Sequence, residues 1–463
     1  MPQKIVIIGN GPAGLTAAST ARLTDRTAEI TVVDSKKYDT YHPCALPFVI
    51  GRYLPSIETI IEDLNFERMN ITLLLNTVAD AIDRKKKVVT VVNNDDGSKS
   101  TLPYDKLILC TGSNVFVPPI PGRDLKNVFR LKFAEDAQAI KEVVSAESIK
   151  NVIVVGGSAI GIEVATEVRH LGKEVTIVEM FPQLMPLKIS KDIALLAQKR
   201  LEETGIIVRT GMMVKEILGT EKVEHITIGT EDKLETLAAD VVVLATGVRP
   251  NAQLAQKSGL KLVENFKAIE VNEKMQTSDE AIYAAGDCVS VTNLVTKERS
   301  LVLLAGPAVR QGRIAGINAA GGDTRYPGSV NSFIVSSRNF YVGVAGINTE
   351  QAKKQGIETT QAKITAPIRP HYMPTTKPIT IKLIARSSDG KLLGGEVFGE
   401  EKVDENVNYI AFALQTGLTV YDLLTLDFCY APAVSETIYP IVIAADAIVR
   451  KIERKKARAA KSA

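Results

Sequence analysis

The sequence predicts an α/β protein of three domains. Two have doubly wound parallel sheets, the first interrupted by the second, and a C-terminal α+β domain follows. The 463 residues exceed what one hydrophobic core normally organises. A short apolar strand, a glycine-rich turn and a helix occur at the N-terminus and again near residue 151. After about residue 325, strands separated by short turns are typical of an antiparallel sheet.

The composition excludes several classes of function. Hydrophobic residues make up 45% of the chain and charged residues 24%, as in ordinary globular proteins. The net charge of +3 is too small to attract nucleic acid or a membrane surface. No stretch approaches the ~20 apolar residues of a membrane span. We therefore expect no nucleic-acid partner and no membrane association, with the basic tail 451–463 solvated.

Cysteine usage predicts a reducing compartment. The four cysteines are Cys44, Cys110, Cys288 and Cys429. They are widely scattered, without a C-x-x-C pair or a disulfide framework. The four histidines show no ligand spacing with them, so we expect no metal site. The chain enters an apolar strand at once, without the features of a signal peptide, which predicts a cytoplasmic protein.

The first repeated unit runs from an apolar strand to an acidic residue. Strand 5–8 leads into Gly9-Asn10-Gly11-Pro12-Ala13-Gly14, a helix follows to about Leu23, and strand 29–33 ends at Asp34. Gly9 permits a tight turn, Gly11 lets a pyrophosphate approach the main chain, and Gly14 lets helix and strand pack closely. The helix N-terminus then faces the phosphates, and Asp34 can accept hydrogen bonds from ribose hydroxyls. This combination predicts a Rossmann-like dinucleotide-binding domain.

The same pattern returns from residue 151. Strand 151–155 leads into Gly156-Gly157-Ser158-Ala159-Ile160-Gly161, a helix follows to about His170, and strand 174–178 ends at Glu179. Ser158 takes the place of the middle glycine. Because no arginine closely follows Glu179, a free ribose 2′-hydroxyl is favoured over a 2′-phosphate, and we expect NADH in preference to NADPH. Two such domains in one chain predict two dinucleotides in electronic contact.

Three shorter segments indicate where the chain leaves these domains. Two buried strands end in Thr111-Gly112 and Thr246-Gly247, and a third ends in Gly286-Asp287, whose acid can hold a polyol hydroxyl. The first dinucleotide-binding domain is therefore predicted in two parts, 1–115 and 246–325. The second is predicted at 116–245, and the C-terminal domain at 326–450.

The C-terminal region is predicted to pair strands and then form helices. Segments 379–384 and 392–395, joined through Ser388-Asp389-Gly390, predict an antiparallel hairpin. Helices are predicted over 403–416 and 438–456. The second helix is amphipathic and basic at its end, and we expect it in a dimer interface and not on a membrane.

One cysteine is distinguished by its position in the chain. Cys44 lies in Tyr41-His42-Pro43-Cys44-Ala45-Leu46-Pro47-Phe48-Val49-Ile50-Gly51, shortly after the first dinucleotide-binding unit. A free cysteine is most often inert packing, so the segment alone proves nothing. Together with the two dinucleotide-binding units, it makes Cys44 the candidate redox thiol facing a flavin.

The chain to about residue 450 resembles the FAD-dependent pyridine nucleotide–disulfide oxidoreductases. Segment 44–51 is similar to the single-cysteine coenzyme A-disulfide reductases and to persulfide or polysulfide reductases. The two-cysteine members carry a second thiol where this chain has Val49, which excludes an internal redox disulfide. The resemblance implies FAD in the first domain and NADH in the second. It also implies a homodimer, with a C-terminal dimerisation domain that reaches the partner's active site.

The resemblance also assigns individual residues. On the FAD side it implies Gly9, Gly11, Pro12, Ala13, Gly14, Asp34, Thr111, Gly112, Gly286 and Asp287. On the nicotinamide side it implies Gly156, Ser158, Gly161, Glu163, Glu179 and Gly247. It implies that Arg22 contacts a phosphate of coenzyme A. It also implies that Tyr372 and Tyr430 are catalytic side chains that lie beside the thiol of the partner subunit.

Four positions depart from the family pattern. Pro12 replaces the histidine of the NADH peroxidases, which argues against a peroxidase. Pro43 replaces an asparagine before the thiol, and Ala159 replaces an aromatic residue at the nicotinamide pocket. Ala431 stands where glutathione-reductase-like members carry an acid–base histidine, which leaves the two tyrosines to protonate the leaving thiolate.

These residues predict a relay from NADH through FAD to Cys44 and then to a disulfide, persulfide or polysulfide. Two alternatives stay open. In one, the protein is an NADH oxidase and Cys44 cycles as a sulfenic acid. In the other, it is an electron-transfer subunit that feeds an iron–sulfur protein partner.

The chemistry of the thiol leads to two further expectations. A thiolate is the reactive form, so the pKa of Cys44 should be lowered, with the first amides of a short helix contributing. An anionic thiol such as coenzyme A could be held by four basic residues that lie near this segment in sequence, and the alternative is that they form a solvated surface: Arg22, Lys36, Lys37 and Arg52. The roles of His42 and His371 stay open.

Overall fold

A computed structural model describes residues 1–186, 188–231 and 233–462. Within these ranges the α-helices are α1 (Pro12–Thr24), α2 (Leu46–Ile50), α3 (Ala134–Val144), α4 (Ala159–His170), α5 (Lys191–Glu203), α6 (Gln253–Lys257), α7 (Ala305–Ala319), α8 (Thr349–Lys354), α9 (Val403–Thr416), α10 (Val420–Leu423) and α11 (Pro440–Ser462). Short 3₁₀ turns lie at Pro43–Ala45, Ile57–Ile60 and Phe66–Met69. No described helix combines the length and the apolar character needed to cross a bilayer.

The first dinucleotide-type domain is built on a five-stranded parallel sheet. Its strands, in spatial order, are Ile282–Ala284, Lys106–Leu109, Lys4–Ile8, Glu29–Val33 and Ile71–Leu74. The strands are short apolar runs because helices cover a parallel sheet on both faces. Helices α1 and α7 pack against one another beside this sheet. The sheet takes one strand from beyond residue 280, so the domain is discontinuous as predicted.

The second domain repeats this architecture. Its parallel strands, in spatial order, are Val128–Arg130, Val241–Leu244, Asn151–Val155, Glu174–Glu179 and Ile207–Thr210. Each domain also carries a three-stranded antiparallel insertion. The insertions are Thr77–Asp83, Val88–Asn93 and Lys99–Pro103 in the first domain, and Met213–Leu218, His225–Gly229 and Leu234–Ala238 in the second.

Smaller sheets complete the first domain and join it to the second. Four short strands pair at Leu262–Val263, Ala268–Glu270, Val289–Thr292 and Arg299–Leu301. Thr40–Tyr41 pairs with Ile61–Glu62 beside the thiol segment. Ser113–Val115 pairs antiparallel with Val248–Pro250, so the two chain crossings between the domains run side by side.

The C-terminal domain has a five-stranded antiparallel sheet covered by helices. Its strands, in spatial order, are Phe333–Ser337, Phe340–Gly346, Leu392–Gly399, Pro378–Arg386 and Thr359–Pro367. The predicted hairpin and the helix predicted over 403–416 are both present. The predicted class, two Rossmann-like α/β domains with a C-terminal α+β domain, is thus confirmed.

The last helix differs from its prediction in extent. It begins at Pro440 and continues to Ser462, beyond the expected end at 456. Its apolar stripe contains Ile441, Ala444, Ala445, Ile448 and Ile452, which are buried in the core of the same domain. This stripe covers the sheet of its own chain, so intrachain packing accounts for the amphipathic pattern, and a place for the helix in the dimer interface stays a prediction.

Candidate active site

The first glycine turn has the shape that a pyrophosphate cradle needs. Gly9 adopts φ +103°, and a Cβ added there would lie 2.2 Å from the Cys110 carbonyl oxygen. A Cβ on Gly14 would lie 1.8 Å from the carbonyl oxygen of Gly9, so helix α1 approaches the strand as closely as only glycine allows. A Cβ on Gly11 would meet nothing within 4 Å. Space is therefore left open on the side where α1 begins, with Pro12 and Ala13 in its first turn.

Asp34 closes this cradle and has a cationic partner. Its carboxylate accepts hydrogen bonds from the main-chain N–H of Asn10 at 2.5 Å and of Lys36 at 2.9 Å. The Lys36 ammonium lies 2.6 Å from the same carboxylate, with both side chains nearly buried. The side-chain oxygen of Asn10 is buried and finds no hydrogen-bond partner among the described residues. An orphaned polar atom beside an open glycine turn fits a bound polar group, and the features together fit FAD.

The second glycine turn repeats this geometry around Glu179. Gly156 adopts φ +110°, and a Cβ on Gly161 would lie 1.9 Å from the carbonyl oxygen of Gly156. Glu179 is nearly buried and accepts hydrogen bonds from the N–H of Gly157 at 2.7 Å and of Phe181 at 2.9 Å. Ser158 precedes helix α4 in extended conformation and makes no side-chain cap. Along the described chain, no lysine or arginine forms an ion pair with Glu179, which fits a ribose without a 2′-phosphate.

The two Thr-Gly segments lie where the chain crosses between the domains. The Thr111 hydroxyl donates to the Asn251 carbonyl at 2.6 Å, and the Thr246 hydroxyl donates to the Phe116 carbonyl at 2.5 Å. The glycine that follows each threonine has positive φ, and a Cβ on it would meet nothing within 4 Å: Gly112 and Gly247. The threonines therefore tie the crossings together, while the glycines leave space beside the two cradles.

Cys44 lies in the 3₁₀ turn immediately before helix α2. Pro47 is the second residue of this helix, where a missing N–H costs nothing. The thiol is free, and its side chain is exposed at the surface of the chain. The bulk of protein around the sulfur nevertheless raises its pKa, the Glu163 and Asp287 carboxylates raise it further, and Lys132 lowers it. The expected lowering of the thiol pKa is therefore not found, because burial and two carboxylates outweigh one cation and a five-residue helix.

The sequence analysis did not identify two residues near the thiol, Lys132 and Ser113. Lys132 donates from its ammonium to the Ser113 hydroxyl at 3.0 Å, and Ser113 donates to Asp287 at 2.8 Å. Burial lowers the pKa of Lys132 and raises that of Asp287. Lys132 follows the first strand of the second domain closely in sequence, and this position at a strand end was the signal that could have indicated it.

Glu163 contributes from the second domain. It lies on helix α4, and its carboxylate accepts a hydrogen bond from the Ser336 N–H of the C-terminal domain at 3.2 Å. Burial raises the pKa of Glu163 to about 7, although the Ser336 hydrogen bond opposes this shift. A carboxyl group that titrates near neutrality, close enough to influence Cys44, can hold or release a proton at the junction of the domains.

Tyr372 and Tyr430 come together on the C-terminal domain. Their side chains are 62% and 47% exposed, and the neighbouring Tyr430 hydroxyl raises the pKa of Tyr372. Arg369 joins their two loops by donating to the carbonyls of Thr375 and Ala433. Within the described chain, no hydrogen bond links either tyrosine to Cys44. The pair is therefore presented outward, where a second subunit can meet it.

The four basic residues considered for an anionic substrate have different surroundings. The Arg22 guanidinium donates to the carbonyls of Asp25, Arg26, Ala28, Met69 and Asn70. All five of its N–H groups are thus used, and coenzyme A binding by Arg22, still a prediction, would require these bonds to break. Lys36 is held by Asp34, whereas Lys37 and Arg52 are exposed.

The two histidines of uncertain role also have neighbours. His42 lies 3.0 Å from the Glu62 carboxylate at the surface. The ring of His371 packs edge-on against Tyr372, with centroids 5.6 Å apart. In the described parts of the chain, no group of three or more histidine, cysteine or acidic side chains has an arrangement that could hold a metal ion.

Comparison with protein families matches nearly the whole chain. The family model for pyridine nucleotide-disulphide oxidoreductases matches residues 3–312, and the model for their dimerisation domain matches residues 334–440. An NADH oxidase of Methanocaldococcus jannaschii is 39% identical over 98% of this chain and 100% of its own. An NAD(P)H coenzyme A polysulfide/persulfide reductase of Pyrococcus horikoshii is 31% identical over 96% of this chain and 98% of its own.

Solved structures with the same fold include both kinds of enzyme. An NAD-dependent persulfide reductase from A. fulgidus superposes with a TM-score of 0.94 at 35% identity, over 97% of this chain and 84% of its own. The water-forming NADH oxidase of Lactobacillus brevis superposes with a TM-score of 0.92 at 25% identity, over 98% of this chain and 99% of its own.

Proposed function

This chain belongs to the pyridine nucleotide-disulphide oxidoreductase family, and on that premise we propose that it reduces a sulfur compound with electrons from NADH. The electrons would pass through FAD and Cys44 to a disulfide, persulfide or polysulfide. FAD would supply the transfer of two electrons from a hydride donor to a disulfide sulfur. The first glycine turn with Asp34 would hold FAD, and the second with Glu179 would hold NADH.

One observation carries the proposal. Helix α2, which directly follows Cys44 in the first domain, packs against helices α3 and α4 of the second domain. In keeping with this position, Asp287 of the first domain and Glu163 and Lys132 of the second all affect the pKa of the thiol. The thiol is therefore at the junction of the two dinucleotide-type domains. Electrons from a nucleotide bound to the second domain could there reach the sulfur of Cys44, which belongs to the first. An exposed cysteine elsewhere on the surface would not have these neighbours.

The sulfur chemistry balances with a single thiol. The Cys44 thiolate attacks one sulfur of a substrate disulfide RSSR, which forms Cys44–S–S–R and breaks the substrate bond, so that RS⁻ leaves. Two electrons and one proton then convert Cys44–S–S–R into the Cys44 thiolate and RSH. NADH supplies the two electrons and the proton as a hydride equivalent, and the sum is NADH + RSSR → NAD⁺ + RS⁻ + RSH.

The chain's own residues would manage charge and protons during these steps. Lys132 favours the thiolate form of Cys44, whereas Asp287 and Glu163 oppose it. In the homodimer that the dimerisation domain indicates, Tyr372 and Tyr430 of one subunit would face Cys44 of the other and protonate the leaving thiolate. Coenzyme A is the proposed carrier of the substrate sulfur, in keeping with the named activity of the Pyrococcus relative. All four cysteines are free thiols, and we expect the protein in the cytoplasm.

A second candidate is an NADH oxidase, favoured by the 39% identity with the Methanocaldococcus enzyme of that name. O₂ would then be the acceptor, with Cys44 cycling between thiolate and sulfenic acid.

Anaerobic stopped-flow mixing with NADH distinguishes the acceptors. Reduced enzyme would be mixed with coenzyme A disulfide, polysulfide or O₂, and its reoxidation followed by absorbance. We expect a sulfur acceptor to reoxidise the enzyme faster than O₂, and the reaction to require Cys44. Faster reoxidation by O₂ would instead establish the oxidase. Reoxidation by an iron–sulfur protein alone would make the chain an electron-transfer subunit.

A further inference from the structure

The C-terminal domain holds helix α4 of the second domain through a short segment, Ser336–Arg338. The Ser336 N–H donates to Glu163, and the Ser337 hydroxyl accepts a hydrogen bond from Thr166 at 3.4 Å. Arg338, at the turn between the first two strands of the C-terminal sheet, reaches the same face of the helix. Its contacts there are with Glu167, one helical turn beyond Glu163.

The pair between Arg338 and Glu167 is strongly directional. The Arg338 Nη2 lies 2.7 Å from Oε2 of Glu167, and its Nε lies 3.1 Å from Oε1. The Glu167 side chain is only 3% exposed, and that of Arg338 is 24% exposed. A carboxylate this deeply buried needs its partner, and Arg338 is the one cation that pairs with it in the described parts of the chain.

The same pair touches the end of the helix that follows Cys44. Gly51 caps helix α2, and a Cβ added there would lie 1.9 Å from Oε2 of Glu167 and 2.6 Å from its Cβ. Its φ of −77° suits any residue, so the close approach to Glu167 is what requires glycine. Arg338 Nη2 also donates to the Gly51 carbonyl at 3.4 Å. A cation at the carboxyl end of a helix satisfies carbonyl groups that the helix leaves free.

We propose that Arg338 is a positioning residue for Cys44. Through Glu167 and the Gly51 carbonyl it holds the end of α2 against α4, and it thereby fixes the thiol at the other end of this short helix. A helix of five residues has little stability of its own, so its place depends on what packs against it. The proposal rests on the proposed function only in taking Cys44 as the reactive thiol.

Site-resolved alkylation tests the proposal independently of the electron acceptor. Wild type, Arg338→Met and Gly51→Ala would be exposed to iodoacetamide, and modification of each cysteine followed by peptide mass spectrometry. We expect Cys44 to react about threefold faster in both variants, because the released helix opens locally. Turnover of the wild-type acceptor should fall about tenfold in kcat, with little change in the KM for NADH, because the thiol is displaced.

Controls within the same experiment separate positioning from general stability. Cys110 and Cys288 are buried in the first domain, and they should stay unreactive in every variant. Arg338→Lys keeps the charge beside Glu167 and should recover much of kcat. Arg325→Met removes an exposed pair with Glu273 and should behave as wild type.

Unchanged Cys44 alkylation in both Arg338→Met and Gly51→Ala would overturn the proposal, as would reaction of the two buried cysteines in step with Cys44. If the wild type reduced no sulfur acceptor, the proposed function would fail while the alkylation result still stood.

Discussion

Lys132 reaches Asp287 through one intervening hydroxyl, that of Ser113, with hydrogen bonds of 3.0 and 2.8 Å. This bridge joins a cation of the second domain to an acid of the first, next to the thiol. The two ends act in opposite directions on Cys44, because Lys132 lowers the pKa of the thiol and Asp287 raises it. The charges at the junction of the domains therefore oppose one another in their effect on the thiol, and each can be altered one residue at a time.

Lys132→Met and Asp287→Asn should shift the pKa of the Cys44 thiol in opposite directions. Removing the ammonium raises the pKa of Cys44 further, so less thiolate is present at pH 7 and alkylation slows several-fold. Removing the carboxylate lowers the pKa and speeds alkylation. Rates of iodoacetamide modification across pH 6–10 would show both shifts. Glu163 also faces the sulfur, and Glu163→Gln should act like Asp287→Asn. Shifts of the same sign in the lysine and aspartate variants would contradict this assignment.

Gly11→Val should yield a folded protein that lacks flavin. A side chain at Gly11 meets no protein atom within 4 Å, so the fold tolerates it, but it would occupy the open space of the cradle. Gly14→Val is the contrasting variant, because its Cβ would lie 1.8 Å from a carbonyl oxygen and disturb the fold itself. Circular dichroism and the absorbance of bound flavin would distinguish the two. A yellow Gly11→Val protein would place the cofactor elsewhere.

Glu179→Gln should narrow the preference for NADH over NADPH by about tenfold, which corresponds to roughly 1.4 kcal/mol of lost repulsion toward a 2′-phosphate. Gly157 and Phe181 donate to different oxygens of Glu179, so glutamine keeps the shape of the side chain and one of the two hydrogen bonds to the loop. Comparison of kcat/KM for the two nucleotides provides the measurement, with Glu179→Ala as the larger change. An unaltered ratio would mean that another residue reads the phosphate.

Cys44→Ser should separate the two halves of the reaction. Hydride transfer from NADH needs the nucleotide cradles and not the thiol, so anaerobic bleaching of the flavin should stay fast. Disulfide reduction should fall by orders of magnitude, because a serine hydroxyl cannot form the mixed disulfide. The matched controls are alanine variants of Cys110, Cys288 and Cys429. Wild-type disulfide turnover in Cys44→Ser would leave the thiol without a role in catalysis.

Mixed dimers test the outward tyrosine pair. Cys44→Ser and Tyr430→Phe subunits should each be inactive alone. A mixture that has exchanged subunits should regain up to about a quarter of the wild-type activity, since half the dimers are mixed and each has one intact site. Mass spectrometry would verify the exchange. No recovery after verified exchange would place Tyr430 in the same site as its own chain's Cys44, or outside the mechanism.

The sequence by itself determined the parts of this protein that depend on neighbouring residues. The glycine turns at 9–14 and 156–161, the acids that close them and helix α9 all follow from local steric and periodic rules. The thiol segment was recognisable only from its place after the first dinucleotide-binding unit and from its resemblance to a known family, because a lone cysteine is most often inert packing.

Only the tertiary structure decided which distant residues share an environment. Strands of two sheets end at one junction, and this brings together Lys132, Ser113 and Asp287. The three domains meet at helix α2, and this brings together Glu167, Gly51 and Arg338. The raised pKa of Cys44 likewise results from burial and from charges on distant segments. The use of all five N–H groups of Arg22 in hydrogen bonds also depends on residues far apart in the chain. Burial and pairing depend on which segments the fold brings together, and no local pattern in the sequence encodes that information.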